Sequence, residues 1–154
     1  MQLFRLVYYS TNKLESKGEA LAGDLKRLLS QAIRNNKALG ISGGLVFNRT
    51  NFLQVLEGNE RDVRRTFDRI QHDPRHADVT IVEAAPVTAP LFDAWAMGYA
   101  GRNRTIDNLY RQLNDRGLFK PTRVSTGTLV SLVLEFVSNE EKVVSTAAER
   151  ILTG

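Results

Sequence analysis

A single amide in an apolar segment, Gln54, is the position where the sequence most strongly indicates chemistry. It lies in the run Phe52-Leu53-Gln54-Val55-Leu56, whose length and flanking residues predict a short β-strand. Because side chains alternate along a strand, Gln54 shares a face with Phe52 and Leu56. An unpaired amide on a buried face would cost about 1–3 kcal/mol. We therefore expect a partner, either protein or ligand, for its donor and acceptor atoms.

Further polar, aromatic and sulfur-containing side chains project from predicted core faces and could meet the same partner. They are Tyr8, Asn36, Trp95 and Met97. Taken singly, the aromatic and thioether groups are typical of core packing, and an asparagine often ends a helix. Together with Gln54, the set indicates a planar ligand with amide-like edges in a cleft between two helices.

Other reactive residue types give little support for metal or covalent chemistry. The absence of cysteine excludes disulfides, thiolate metal sites and cysteine nucleophiles. Pro74 separates His72 from His76 and disfavours a helix that would bring them together, and no third metal ligand is evident. Ser10 lacks the context of a nucleophile elbow. We expect no metal site and no enzymatic activity.

Hydrophobic periodicity predicts the elements that position these side chains. Strands are predicted at Gln2–Ser10, Gly40–Phe47, the Gln54 run, Asp78–Ala85 and Phe92–Ala100, and helices at Gly18–Asn36 and from the cap Asn59 to Asp73-Pro74. The order β-α-β-β-α-β-β predicts an α+β, ferredoxin-like mixed sheet with two helices on one face. Asn36 continues the buried stripe of the first helix, and Asn35 lies near it. In the last strand, Trp95, Met97 and Tyr99 are expected to share one face.

The composition changes after Gly101, where a helical extension is predicted. It begins with a short amphipathic helix from Arg104, which contains Ile106, Leu109, Tyr110 and Leu113. The later run 129–137 is apolar on more than one face, so it should be covered on two sides. We expect it to pack on the bare sheet face or against a second copy of the chain.

The overall composition is that of an ordinary globular protein. The 154 residues are 42% hydrophobic and 25% charged, with a formal net charge of +4. Basic and acidic residues alternate, which favours a solvated helix face over a nucleic-acid surface. Neither a signal-like N-terminus nor an apolar run of about 18 residues occurs. We expect a cytoplasmic protein that does not bind membranes.

The chain resembles the BLUF family of flavin-binding blue-light sensors over about residues 2–101. Five segments carry the resemblance in the family's order: Leu6–Ser10, Asn35-Asn36 with Leu39–Gly43, Phe52–Gly58, Asp73–His76 and Phe92–Met97. Two positions depart from the family pattern, since Ser42 stands where threonine is common and Leu91 replaces a frequent arginine. The resemblance divides the chain into a sensor domain, residues 1–101, and a C-terminal helical extension for output or oligomerisation, residues 102–154.

The resemblance implies a flavin bound noncovalently between the two helices. FAD is the usual cofactor, with FMN and riboflavin as alternatives. Asn36 would hydrogen-bond the isoalloxazine edge, and Asn35 would also lie near the flavin. Asp73 and Arg75 would contact the ribityl-phosphate portion, and His76 would lie close to the ring.

The resemblance also implies a photochemical cycle. Tyr8 would hydrogen-bond Gln54, Gln54 would face the flavin, and blue light would drive electron and proton transfer from Tyr8. A phenol can give up both particles, and an amide can exchange its donor and acceptor ends by rotation or tautomerisation. Trp95 and Met97 would pass the change to the last strand and the C-terminal helices, with one of them near Gln54 in each state.

The leading hypothesis is a short photoreceptor that signals through an unidentified downstream protein or a homo-oligomer. One alternative is a ferredoxin-like nucleic-acid or small-ligand binding module without photochemistry. A nucleic-acid module would need exposed aromatic residues flanked by Lys or Arg on adjacent strands. A second alternative is a small enzyme such as an acyl-phosphate hydrolase, which would need an anion-binding loop with a positioned arginine. Neither feature is apparent in the sequence.

Overall fold

A mixed β-sheet lies at the centre of the structure, a computed structural model that describes residues 2–14, 19–93, 95–101, 108, 110–115 and 118–153. Its five strands are β1 (Leu3–Asn12), β2 (Ser42–Phe47), β3 (Asn51–Asn59), β4 (His76–Val87) and β5 (Gly98–Gly101). Their spatial order is β4-β1-β3-β2-β5, and each neighbouring pair is antiparallel except β2 with β5. This topology confirms the predicted α+β, ferredoxin-like class.

Two helices, α1 (Glu19–Leu39) and α2 (Glu60–Gln71), cover one face of the sheet. The apolar cluster beneath them joins Leu25, Leu28 and Leu29 of α1, Val63 and Phe67 of α2, and Phe4, Leu6, Tyr8, Phe52 and Leu56 of the sheet. As predicted, Asn59 caps α2, since its side chain accepts a hydrogen bond from the Arg61 backbone N–H at 2.9 Å.

The end of α1 places Asn36 inside the helix rather than at its terminus. The helix continues to Leu39, and Gly40 adopts a φ of +68°, a left-handed conformation that favours glycine. The Gly40 N–H donates to the Lys37 carbonyl at 3.4 Å, and the Ile41 N–H donates to the Asn36 carbonyl at 2.9 Å. This pair of bonds is a Schellman motif, which satisfies the last carbonyls of the helix.

The C-terminal helix α3 (Thr126–Thr153) packs on the opposite face of the sheet. Its buried side chains, with their partners from the sheet and the preceding segments, are Leu129, Val130, Val133, Val137, Val7, Val46, Leu53, Val55, Phe92, Tyr110 and Leu113. Of the two predicted arrangements, the structure shows packing on the sheet face. A Cβ atom on Gly44 would lie 2.7 Å from the Phe92 ring, and one on Gly98 would collide with Val137. These glycines let α3 and Phe92 approach the sheet closely.

The predicted last strand is wrong in its extent and in its faces. The strand covers only Gly98–Gly101, because a turn in which the Trp95 N–H donates to the Phe92 carbonyl at 3.0 Å interrupts the alternation. Met97 consequently packs in the cluster under α1 and α2, whereas Trp95 packs against the cluster under α3. Tyr99 is exposed.

Other predicted boundaries differ by a few residues, and some lie outside the described residues. Strands β1 and β4 extend beyond their predicted ends, and β2 begins at Ser42 because Gly40 belongs to the helix end. Gly18, Ile106, Leu109 and the division after residue 101 fall on or beside positions that the structure does not describe.

The segment that leads into α3 is helical at residue 108 and at residues 110–112, which lie within the short helix predicted from Arg104. Tyr110 and Leu113 are buried, and two-residue strands, β6 (Asn114–Asp115) and β7 (Leu118–Phe119), form a small hairpin before a 3₁₀ turn at Pro121–Arg123. None of the described helices combines the length and apolarity that crossing a membrane requires.

Candidate functional site

A cleft of about 1090 Å³ opens between α1 and α2, with the sheet as its floor. Every residue that the resemblance assigns to cofactor binding lines it: Tyr8, Asn35, Asn36, Gln54, Asp73, Arg75 and His76. Their convergence is a geometric fact, whereas their roles toward a cofactor stay predictions. Of the two residues assigned to signalling, Met97 contacts Gln54 at the cleft floor and Trp95 lies on the other side of the sheet.

A buried chain of three side chains begins at the floor of the cleft, which Tyr8 and Gln54 line. Tyr8 on β1 lies directly opposite Gln54 on β3, and its phenol donates a hydrogen bond to Gln54 Oε1. Gln54 Nε2 in turn donates to Met97 Sδ at 3.3 Å. Tyr8 is 1% exposed and Gln54 is 4% exposed. The amide that needed a partner therefore has one at each end, and the thioether is the weaker acceptor.

Asn36 connects the cleft to the segment that precedes β5. Its side chain is buried and donates from Nδ2 to the Ala96 carbonyl at 2.7 Å. This bond uses one of the two N–H groups of the amide. Asn35 is half-buried beside it on the cleft wall. Both amides thus stand where a ligand in the cleft could reach them.

An ion pair stands at another part of the cleft wall. Arg75 donates from Nε to Asp73 Oδ1 at 2.9 Å and from Nη2 to Asp73 Oδ2 at 2.5 Å. Burial opposes ionisation of Asp73, but hydrogen bonds and charge from Arg75 outweigh it and lower the pKa of the carboxyl group. The hydrogen bond to Asp73 likewise raises the pKa of Arg75. Arg75 Nη2 also donates to Gln31 Oε1 at 3.0 Å, which ties the pair to α1.

His76 presents a neutral ring to the cleft. Its Nδ1 lies 2.8 Å from the buried Ser10 Oγ, and its ring centroid lies 4.6 Å from that of Phe52. Burial lowers the pKa of His76 to about 4; the charge of Asp73 opposes this shift and that of Arg75 adds to it. At neutral pH the imidazole can therefore donate and accept, but it carries no charge.

This pKa predicts an acid-sensitive stability for the ligand-free protein. The histidine side chain has a pKa of about 6.5 in the unfolded protein and about 4 in the folded one. Between these two values the unfolded state binds a proton that folded His76 does not bind, so acid favours unfolding. Between pH 7 and pH 5 the free energy of unfolding should fall by about 2 kcal/mol through this residue. Urea denaturation of the protein and of a His76→Asn variant would measure it. Equal pH slopes in the two proteins would contradict the prediction.

Several residues of the cleft were missed by the sequence analysis. Arg65 and Arg69 line it from α2, although their alternation with acidic residues had suggested a solvated face. Thr66 also lines the cleft and is 6% exposed, yet no group in the described part of the chain bonds its Oγ1. Spacing could have found it, because Thr66 follows the buried Val63 by three residues.

A second buried polar group, Glu57, holds the segment before β5. It is fully buried opposite Arg5, whose Nε donates to Oε2 at 2.8 Å. Its Oε1 accepts from the backbone N–H groups of Leu91 at 2.9 Å and Phe92 at 2.8 Å. The sequence analysis did not single out Glu57. Leu91, which stands where the family often has arginine, donates to Glu57 through its backbone N–H. This hydrogen bond therefore does not depend on the side chain at position 91.

The histidines do not form a metal centre with each other. His72 ends α2, and its Nδ1 lies 2.7 Å from the Asp68 carbonyl oxygen, whereas His76 faces Ser10. Across the described ranges, no three His, Cys, Asp or Glu side chains converge as metal ligands would.

The chain is similar to several known proteins. The family model described as "BLUF: Sensors of blue-light using FAD" matches residues 3–98. Photoactivated adenylate cyclase subunit alpha of Euglena gracilis is 32% identical over 108 residues, which cover 70% of this chain and 10% of that protein. Subunit beta of Euglena longa is 34% identical over 97 residues, 62% of this chain and 11% of that protein. The chain therefore spans about a tenth of the length of these relatives.

Solved structures extend the likeness to nearly the whole chain. The photo-activated state of BlsA is 29% identical with a TM-score of 0.72, and the match covers 88% of this chain and 94% of that one. BlrB, described as a BLUF protein in its dark state, has a TM-score of 0.71 at 24% identity over 90% of this chain and 97% of that one. At that identity, the second match shows the fold alone.

Proposed function

Since the chain belongs to the BLUF family of flavin-dependent blue-light sensors, we propose that it is a photoreceptor that binds an oxidised flavin in the cleft between α1 and α2. The observation that carries this proposal is the buried chain from Tyr8 through Gln54 to Met97 at the floor of that cleft. The phenol of Tyr8 can be oxidised, and the amide of Gln54 can rearrange. The thioether of Met97 links that amide to the segment before β5.

The residues of the cleft fit a flavin. Its volume of about 1090 Å³ lies slightly above the ~300–1,000 Å³ common for ligand pockets, as a large ligand requires. Asn35, Asn36 and Gln54 offer amide groups that match the alternating donors and acceptors of an isoalloxazine edge. The hydroxyl of Thr66, which lacks a partner among the described residues, offers one more. Asp73 and Arg75 suit the ribityl-phosphate portion, and FAD is the proposed cofactor.

A bound flavin would supply absorption of blue light and an acceptor for one electron. Tyr8 is suited to be the donor, because burial and the charge of Asp73 raise the pKa of its phenol and keep it protonated in the dark. A phenol that loses an electron becomes strongly acidic. Gln54 Oε1 accepts the hydrogen bond of Tyr8 and could take up that proton, while the amide nitrogen of Gln54 would release one to the flavin that has gained the electron, so that charge balances.

Gln54 can occupy two arrangements, which differ in the end of the amide that faces Tyr8. In the observed one, its carbonyl accepts from Tyr8 and its amino group donates to Met97. After rotation, the amino group could donate to the phenol oxygen, which also accepts. The carbonyl would then face a sulfur atom that has no proton to donate, and would be available to other donors at the cleft. The bond given up at Met97 is the weak one.

The segment 91–97 is the proposed route of the signal out of the cleft. Gln54 bonds Met97, Asn36 bonds the Ala96 carbonyl, and Trp95 packs on the opposite face against the cluster under α3. Met97 therefore receives the change and Trp95 delivers it to α3. We propose that α3 acts on an unidentified cytoplasmic protein or on a second copy of the chain.

Two alternatives receive less support from the structure. Both faces of the sheet are covered by helices, so the sheet surface that a ferredoxin-like nucleic-acid module would use is not open. The adenylate cyclase activity named for the Euglena proteins belongs to chains of which this one spans about a tenth. We propose that this chain senses light without catalysing a reaction.

Purified protein mixed with FAD should turn yellow and show the absorption of an oxidised flavin. Blue light should shift that absorption slightly to the red, and darkness should reverse the shift. Difference spectra recorded after gel filtration would measure both properties. Failure to retain any flavin would refute the proposal, and retention without a reversible shift would refute the photochemical part of it.

A further inference from the structure

A hydrogen bond between Ser10 and His76 joins β1 to the first residue of β4 at the cleft. Ser10 and Asn12 follow Tyr8 at intervals of two residues on β1, so the three side chains share the cleft face of the sheet. Ser10 is 0% exposed, and its Oγ lies 2.8 Å from His76 Nδ1. The geometry around this contact determines which of the two groups donates the proton.

A β-bulge in β4 places His76 on the cleft face. Tyr9 pairs with Thr80, and the register then shifts by one residue, so that Asn12 pairs with His76. Residues directly opposite each other share a face of the sheet, so His76 lies on the same face as Asn12. An unshifted register would set His76 opposite Lys13 on the other face, because a slip of one residue reverses the side chains.

The bulge contains a residue in an uncommon backbone conformation. Asp78 has a φ of +51°, in the left-handed region that residues other than glycine rarely adopt. Two hydroxyl groups hold it: Thr11 Oγ1 donates to Asp78 Oδ2 at 3.4 Å, and Thr80 Oγ1 donates to the Asp78 carbonyl at 3.1 Å. Bulges and strained residues of this kind concentrate at functional sites. Here the irregularity lies where the strand positions His76.

Burial decides the direction of the hydrogen bond between Ser10 and His76. A hydroxyl group has one proton, and Ser10 Oγ has no acceptor other than His76 Nδ1 in the part of the chain that the structure describes. Water does not reach the buried hydroxyl, so a proton turned away from Nδ1 would stay unpaired. The imidazole is neutral at neutral pH, because burial lowers its pKa to about 4. Nδ1 is therefore the acceptor, and the ring carries its proton on Nε2.

The protonated nitrogen, Nε2, is accessible from the cleft that His76 lines. It makes no hydrogen bond with the described residues, among which Thr66 Oγ1 alone is both sealed from solvent and without a partner. Nε2 therefore keeps access to solvent. The ring of Phe52, whose centroid lies 4.6 Å from that of the imidazole, packs against His76 and limits its rotation.

We propose that Ser10 is a positioning residue, whose hydroxyl group donates to His76 Nδ1 and makes His76 a hydrogen-bond donor, through Nε2–H, toward an acceptor atom of the ligand. This inference rests on the proposed function, since the ligand is the flavin in the same cleft. An oxidised isoalloxazine carries carbonyl oxygens and unprotonated ring nitrogens that accept hydrogen bonds. Without Ser10, the imidazole would no longer be held in one tautomer and one orientation.

The first test is nitrogen NMR of the isotopically labelled, flavin-free protein at neutral pH, since protonated and unprotonated imidazole nitrogens differ strongly in chemical shift. His72 is the only other histidine in the sequence, so a His72→Gln variant assigns the signals. We expect His76 to carry its proton on Nε2. In Ser10→Ala, the Nδ1 signal should move toward that of a nitrogen without a hydrogen bond. A proton on Nδ1 in the wild-type protein, or an Nδ1 signal unchanged in Ser10→Ala, would overturn the inference.

The second test adds FAD to the same samples and follows both the NMR signals and the quenching of flavin fluorescence. The Nε2 signal of His76 should shift on binding. Ser10→Ala should bind FAD about three- to tenfold more weakly, as the loss of one neutral hydrogen bond allows. Ser125→Ala removes a hydroxyl group that bonds Thr128 at the start of α3, and should leave the affinity unchanged.

The outcomes of the two tests distinguish the failure of each proposal. If Ser10→Ala bound FAD as tightly as the wild-type protein does, Ser10 would not position a donor toward the ligand, whereas the proposed photoreceptor would stand. An Nε2 signal that does not respond to bound FAD would have the same meaning. Failure of the wild-type protein to bind FAD would refute the proposed function, and the first test would still decide the direction of the bond between Ser10 and His76.

Discussion

The Gln54→Leu variant is expected to bind flavin and to show no light-induced red shift. Leucine is close to glutamine in size, but it can neither accept the hydrogen bond of Tyr8 nor donate one to Met97. The two arrangements of the amide that we propose as dark and lit states would no longer exist. Light-minus-dark difference spectra would measure the loss, and flavin absorption in the dark would show that the cofactor is retained.

A conservative pair of tyrosine variants provides the control for this result. Tyr8→Phe removes only the phenol oxygen from the buried chain and should also abolish the normal response. Tyr110 is also buried, on the other face of the sheet, where its hydroxyl group donates to the Val46 carbonyl at 2.9 Å. Tyr110→Phe should therefore keep the red shift. A normal shift in Gln54→Leu would remove Gln54 from the mechanism.

The second large effect concerns stability: Glu57→Ala should lower the free energy of unfolding by about 3–5 kcal/mol. The substitution leaves Arg5 without its partner and strips the backbone N–H groups of Leu91 and Phe92 of their acceptor. Burial keeps water from replacing the lost oxygen atoms, since Glu57 is fully inaccessible. Urea denaturation, read as a change in midpoint at constant slope, would measure the difference.

Two other substitutions separate the effect of burial on the free energy of unfolding from the effect of charge. Glu57→Gln keeps one oxygen acceptor and should cost less than Glu57→Ala. Glu60 forms a surface ion pair with Arg64 in which the side chains are 55% and 53% exposed, so Glu60→Ala should cost less than about 1 kcal/mol. If Glu57→Ala and Glu60→Ala proved equally mild, the buried network would not stabilise the protein as we argue.

Local patterns predicted the sheet and the faces of β1 and β3, because periodicity reports which side of an element is buried. They placed Tyr8 and Gln54 on core faces and Asn36 on a buried stripe. Periodicity does not fix the register between strands, and it is the pairing of β1 with β3 that sets Tyr8 opposite Gln54. The resemblance to the family supplied that contact before the structure displayed it.

The errors have the same origin, since they concern contacts between residues far apart in sequence. Phe92–Ala100 alternates like a strand, but bonds from Glu57 and Asn36 hold its first part in a turn. Glu57 is a single charged residue at the end of an apolar run, and the backbone N–H groups that it accepts, those of Leu91 and Phe92, lie more than thirty residues later. The arginines of α2 have the composition of an exposed face, and only the opposite helix turns that face into a cleft.

The glycine at the start of β5 has a mechanical consequence. Gly98 follows Met97 directly, and the place where its side chain would stand is filled by Val137 of α3 and the ring of Trp95. The backbone beside Met97 therefore contacts the Val137 side chain of α3 directly, because Gly98 has no side chain of its own to place between them. Close-packed interiors transmit strain rather than absorb it. The contact of Gly98 with Val137 should therefore pass on small movements of the backbone. Even a displacement of Met97 too small to open a gap in the core would therefore press on α3.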